Sequence, residues 1–77
     1  MIKSLTLYST DGCHLCENAQ RLLLSMPELR RVTLDVVDIV GDEALFARYG
    51  TTIPVLSTSV KELAWPFNAD DVLRLLS

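Results

Sequence analysis

Apolar and polar positions alternate at the start of the chain: Ile2, Leu5 and Leu7 sit among β-favouring residues up to Tyr8, and Thr10-Asp11-Gly12 follows as a turn signal. Residues 2 to 8 are therefore expected to form a strand. After the turn the period changes. Leu15, Ala19, Leu22, Leu23 and Met26 recur at the spacing of one helix face until Pro27 stops the pattern. This predicts an amphipathic helix from Cys13 whose stripe lies on a sheet while Gln20 and Arg21 face water. The stretch 31–40 is β-branched and nearly continuous in apolar content, as expected of a second strand covered on both faces. Gly41-Asp42 offers a cap for a short helix with Leu45, Phe46 and Tyr49 on its buried side and Gly50 as its terminator. Residues 53–57 read as a strand opened by a proline, and 60–65 as a second run reached through a Thr58-Ser59 turn, which is a hairpin signal. Trp65-Pro66-Phe67 breaks that run, and Asn68 caps a last helix with Asp70 and Asp71 in its first turn and Val72, Leu75 and Leu76 on its inner face. The predicted order is β-α-β-α-β-β-α, and strands separated by helices imply parallel pairing within an α/β fold.

Composition narrows this picture. Seventy-seven residues with 49% hydrophobic and 22% charged content make one small soluble domain spanning 1–77, without linker or repeat. The net charge is −3 and the seven basic residues are scattered, so no phosphate-binding footprint exists and nucleic acid is not an expected partner. The N-terminal alternation is not a secretory leader, and no run approaches the roughly 20 apolar residues needed to span a bilayer. The chain is expected to be cytoplasmic, monomeric and free of membrane contacts.

The candidate chemistry lies in the one stretch that holds both cysteines, Cys13-His14-Leu15-Cys16. Thiols at i and i+3 on a first helical turn face the same way and could close a disulfide or grip a metal. Unpaired N–H groups and the positive dipole end at a helix N-terminus favour the thiolate. In a reducing compartment such a pair is catalytic, redox-active or metal-binding more often than structural, and the loop it closes is too short to staple the fold strongly. His14 could stabilise a thiolate as imidazolium, serve as a third ligand, or do neither as an exposed loop histidine. Two cysteines and one histidine stay one ligand short of a closed zinc site. Trp65 and Phe67 suit either an apolar wall or the core edge, and Asp35 and Asp38 suit either a proton-transfer carboxylate behind Cys16 or, as alternation suggests, surface positions.

Two motifs carry a resemblance. Tyr8-Ser9-Thr10-Asp11-Gly12-Cys13-His14-Leu15-Cys16 is similar to the active-site frame of glutaredoxins, and Thr52-Ile53-Pro54, about 40 residues further on, to their Thr-Val-Pro. The chain thus resembles a glutaredoxin, and more narrowly the short bacterial glutaredoxin-like proteins with C-H-L-C. The resemblance implies a minimal thioredoxin-like fold, a central four-stranded mixed sheet flanked by helices. It implies a thiol–disulfide oxidoreductase in which Cys13 attacks and Cys16 resolves, with no bound metal or cofactor and glutathione as a candidate reductant. Substrates would be a disulfide-containing protein or a glutathione mixed disulfide, held by Thr52, by the Ile53 backbone beside a cis Pro54, and by His14 and Tyr8. Three departures stand out. Thr10 and Asp11 replace a basic residue and a proline, which makes the local charge more negative and opposes both a Cys13 thiolate and glutathione's carboxylates. The family's Gly-Gly-Asp is missing from 64–70, where only Asp70 or the next residue, Asp71, could supply the acidic member. His14-Leu15 fills the spacer that tunes reduction potential. The competing readings are a metal or two-iron two-sulfur binding module and a non-catalytic interaction domain.

Overall fold

The sheet is built around β1 (Ser4–Ser9), to which every other strand is joined directly or through one neighbour. The computed structural model describes residues 4–77, so the Ile2 end of the expected first strand lies outside the described residues. β1 pairs in parallel with β2 (Thr33–Asp38), from Ser4 opposite Thr33 to Ser9 opposite Asp38. On its other side it pairs antiparallel with β3 (Val55–Ser57), Tyr8 opposite Val55, and β3 pairs antiparallel with β4 (Glu62–Ala64). The order β2-β1-β3-β4 is the expected four-stranded mixed sheet.

Strand alternation divides the core in two. Leu5 and Leu7 point into the larger half. There they meet Ala19, Leu23 and Met26 from α1 (His14–Leu24) and the turn after it, Leu56 from β3, and Val72 and Leu75 from α3 (Ala69–Leu76). Tyr8 points the other way, into a smaller cluster of Ile39, Tyr49 and Val55 beneath α2 (Glu43–Tyr49). The caps read from the sequence are in place. The Asp42 carboxylate accepts from the Leu45 N–H at 3.1 Å, and Asn68 and Asp71 form a reciprocal capping box at 2.9 and 3.0 Å. Trp65 lies edge-on against Phe67, ring centres 4.9 Å apart, and both belong to the core edge rather than to an exposed wall.

Four details differ from expectation. β2 is an edge strand instead of one covered on both faces, and Val36 is 46% exposed, because β1 takes its place between the two halves of the sheet. Phe46 is 58% exposed rather than buried. Leu45 and Tyr49, at i and i+4, fill the sheet-facing row of a seven-residue helix, and Phe46 lies about 100° round from Leu45. Leu15 leaves the α1 stripe and is exposed beside the cysteines. The hairpin loop spans 58–61, with Thr58 Oγ1 accepting from the N–H groups of Val60 (3.3 Å) and Lys61 (3.0 Å). A 3-10 turn at Pro27–Leu29 follows α1. No helix among the described residues is long and apolar enough to cross a membrane.

Candidate dithiol site

The parallel β1–β2 pair delivers the chain to one end of the sheet, where Ser9 is paired with Asp38 and followed by the turn that leads to α1. Gly12 makes this turn at φ 72°, a left-handed conformation that side chains with a Cβ rarely adopt. Cys13 follows as the N-cap of α1 with extended backbone (φ −94°, ψ 105°). Its sulfur takes the role that a serine or aspartate oxygen usually fills there: it accepts the Cys16 N–H at 3.1 Å. Cys13 and Cys16 are joined in a disulfide across a Cα separation of 5.2 Å. The two are unequal. Cys16 is 2% exposed, one turn into the helix, whereas Cys13 is half-buried at its mouth.

The other sequence-predicted residues divide around this pair. Extending the β1–β3 register by one step sets Pro54 opposite Ser9, at the same end of the sheet as the cysteines. The Ile53–Pro54 peptide is cis, Pro54 is buried, and its carbonyl accepts from the Trp65 N–H at 3.1 Å. Ile53 departs from expectation. Its N–H donates to the Tyr49 carbonyl at 3.0 Å, so the backbone pairing expected of it is reduced to its own carbonyl. Thr52 is likewise tied locally, its N–H (2.9 Å) and hydroxyl (3.3 Å) both donating to that same Tyr49 oxygen. His14 projects into solvent with its side chain 80% exposed, and its Nδ1 lies 4.0 Å from a Glu17 carboxylate oxygen. Tyr8 is not brought to the cysteines: it stacks on Tyr49, ring centres 4.2 Å apart, on the α2 side of the sheet, whereas the dithiol belongs to α1 on the opposite side. Asp71 is committed to the α3 cap and to Arg74 at 3.8 Å. Among the described residues, no group of three or more His, Cys, Asp or Glu side chains converges as a metal site would require.

Two features escaped the sequence reading. The first is Tyr49, whose carbonyl gathers the three donors of the loop before Pro54 while its hydroxyl donates to the Glu62 carboxylate. That bond, together with burial, pushes the Tyr49 hydroxyl up to about 12. The second is a cavity of about 360 Å³ between α1 and β2, with Cys16 in its wall and Ser9, Asp11, Glu17 and Asp38 around it. A polar Ser9 at the next step of the buried Leu5-Leu7 alternation was the available signal for it.

The family model of a glutaredoxin-like domain (DUF836) matches residues 4–77. No curated protein matches the chain. Among solved structures, the chain is similar to the structural-genomics target protein XcR50 from X. campestris at 40% identity. That match covers 94% of this chain and 93% of the other, with a TM-score of 0.80 to the X-ray structure. Its solution structure gives a TM-score of 0.76, covering 94% of this chain and 90% of that one. The solution structure of protein Ne2328 from Nitrosomonas europaea matches at 31% identity and a TM-score of 0.80, covering 100% of this chain and 94% of the other.

Proposed function

The chain belongs to the glutaredoxin-like (DUF836) family, and on that premise we propose that it is a thiol–disulfide oxidoreductase with Cys13 as the attacking and Cys16 as the resolving thiol. The reduced Cys13 thiolate attacks one sulfur of a substrate disulfide, forms a mixed disulfide and expels the other sulfur as a thiolate that takes up a proton. Cys16 then gives up its proton and attacks Cys13 Sγ. This closes the Cys13–Cys16 disulfide and frees the second substrate thiol. Two electrons pass from the dithiol to the substrate, and an external thiol, glutathione or a protein dithiol, returns them. The cycle suits the cytoplasm, whose thiol reductants reset such pairs.

The observation that carries this reading is the asymmetry of the pair: a half-buried cysteine at a helix N-terminus bonded to a buried one a turn deeper. The Cys16 N–H aimed at Cys13 Sγ favours the thiolate there, as a donor to any developing anion does. Asp11 opposes it from an exposed position, where water screens its charge. The Ile53 carbonyl and Pro54, at the same sheet end, offer an edge for an extended substrate.

The test is the ultraviolet absorbance of the reduced protein against pH, with Cys13→Ser and Cys16→Ser as controls. A thiolate forming well below the ordinary thiol pKa of about 8.5, lost only in Cys13→Ser, is the expected result. A Cys13 that ionises at or above that value overturns the proposal.

A further inference from the structure

The loop that brings Ile53 and Pro54 to the dithiol end of the sheet has little packing of its own: Thr51 and Thr52 are exposed and Ile53 is half-buried. Much of what holds it is one oxygen. The Tyr49 carbonyl, among the last of α2 and so without a helical donor, accepts the Thr52 N–H at 2.9 Å, the Ile53 N–H at 3.0 Å and the Thr52 hydroxyl at 3.3 Å. With its N–H taken, Ile53 has only its carbonyl for an outside partner, and that carbonyl accepts no hydrogen bond among the described residues. Where the Tyr49 carbonyl stands therefore decides where the Ile53 carbonyl stands.

Tyr49 is fixed through its ring. The residue is 5% exposed, its ring lies on Tyr8 of β1 with centres 4.2 Å and planes 14° apart, and its hydroxyl donates to the Glu62 carboxylate of β4. A bond to a carboxylate is directional and stronger than a neutral one. Packing does not ask for it, since a phenylalanine would fill the same space and stack on Tyr8. β4 also grips the far side of the loop, where the Trp65 N–H donates to the Pro54 carbonyl at 3.1 Å. Ile53 thus lies between two attachments to one strand, the first of them made through the Tyr49 hydroxyl.

We propose that Tyr49 is a positioning residue for substrate: its bond to Glu62 sets the loop 50–53 so that the Ile53 carbonyl meets a backbone N–H of the polypeptide whose disulfide reacts at Cys13. The inference rests on the oxidoreductase reading. It adds the class of disulfide that gains from the arrangement, one carried on an extended backbone rather than a small disulfide with no amide to pair.

Two arms test this. In the first, the reduced protein is oxidised by 2-hydroxyethyl disulfide or by the symmetrical disulfide of acetyl-Ala-Ala-Cys-Ala-Ala-amide, each of which leaves as two thiols. Tyr49→Phe and Glu62→Ala should lower the peptide's rate about tenfold and leave that of 2-hydroxyethyl disulfide within twofold. Glu62→Gln keeps an oxygen for the Tyr49 hydroxyl and should restore the parent's ratio of the two rates. Val72→Ala removes volume from the other core cluster, and as a control for lost stability it should keep that ratio as well. In the second arm, amide hydrogen exchange of the oxidised protein is followed at Thr52 and Ile53. Both amides should exchange several-fold faster in Tyr49→Phe and Glu62→Ala, but not in Glu62→Gln or Val72→Ala. Rates for the two disulfides that fall together, a ratio that Tyr49→Phe leaves unchanged, or exchange that does not respond to it overturns the positioning role. Failure of the parent to react with either disulfide overturns the oxidoreductase reading instead, and the exchange arm still decides whether Tyr49 sets the loop.

Discussion

The Tyr49 hydroxyl donates a hydrogen bond to the Glu62 carboxylate, which ties the last residue of α2 to the outer strand β4. Arg48 joins them from the solvent side, 3.5 Å from the other Glu62 oxygen and with its guanidinium 5.3 Å from the centre of the Tyr49 ring. Since the Tyr49 carbonyl also holds the N–H groups of Thr52 and Ile53, one buried residue connects α2, β4 and the loop that precedes Pro54.

A phenol that donates to a carboxylate resists ionisation, and this sets a pH dependence. Tyr49 ionises near 10 when unfolded and at about 12 when folded. Between those values the unfolded chain has lost a proton that the folded one still holds. The bond's stabilisation is therefore complete below pH 10 and is lost as pH rises to 12. Urea midpoints measured from pH 8 upward should fall over this window in the parent protein and fall less in Tyr49→Phe. At neutral pH that variant should be less stable by about 1–2 kcal/mol, because the bond is to a charged group but Glu62 is exposed to solvent. A Tyr49→Phe profile that tracks the parent would remove Glu62 as the cause.

The division of the core predicts contrasting outcomes for two apolar residues of similar hydrophobicity. Leu56 is fully enclosed between the α1 and α3 side chains, and Leu56→Ala should cost about 2–5 kcal/mol through lost burial and the cavity left behind. In a domain this small that is a large share of total stability. Phe46 lies outside both clusters, and Phe46→Ser should change stability by no more than about 0.5 kcal/mol. Paired urea denaturation curves decide the point, and a large loss in Phe46→Ser would return Phe46 to the core.

Phe46 also shows where the sequence stops being informative. Period and punctuation located the elements, because a 3.6-residue stripe stopped at Pro27, Asp42 and Asn68 could cap nothing else, and the Ser57–Glu62 pairing needed only a local turn. They could not order the strands. An apolar, β-branched run such as 33–38 looks the same at the centre of a sheet or at its edge, and only the assembled order made β2 an edge. The dithiol was equally legible, since its chemistry is local to four residues. The cavity was not, because its walls come from the end of β1, the first turns of α1 and the middle and end of β2, segments with no common periodicity. Tyr49 and Glu62, thirteen positions apart on a helix and a strand, were hidden for the same reason. The Ile53 N–H failed differently: the motif placed the residue correctly, but the Tyr49 carbonyl had already claimed its donor.

The unequal burial of the two cysteines gives the last prediction. Under the proposed cycle Cys13 would meet an incoming disulfide from the mouth of the site, and Cys16, 2% exposed, would reach only the Cys13 Sγ to which it is bonded here. Cys16→Ser should therefore still attack a small disulfide and then stall as a stable mixed disulfide on Cys13, visible by intact mass. Cys13→Ser should form no such adduct at a comparable rate. Neither substitution should unfold the protein. The cross-link closes a loop between residues three apart, worth about 2 kcal/mol or less in chain entropy, and the cores that hold the sheet do not depend on it. Melting curves with and without reductant should consequently differ by no more than about 8–16 °C. Adduct formation on Cys16 at the rate of Cys13 would mean that the deeper thiol opens to solvent, and the order of attack and resolution would have to be reversed.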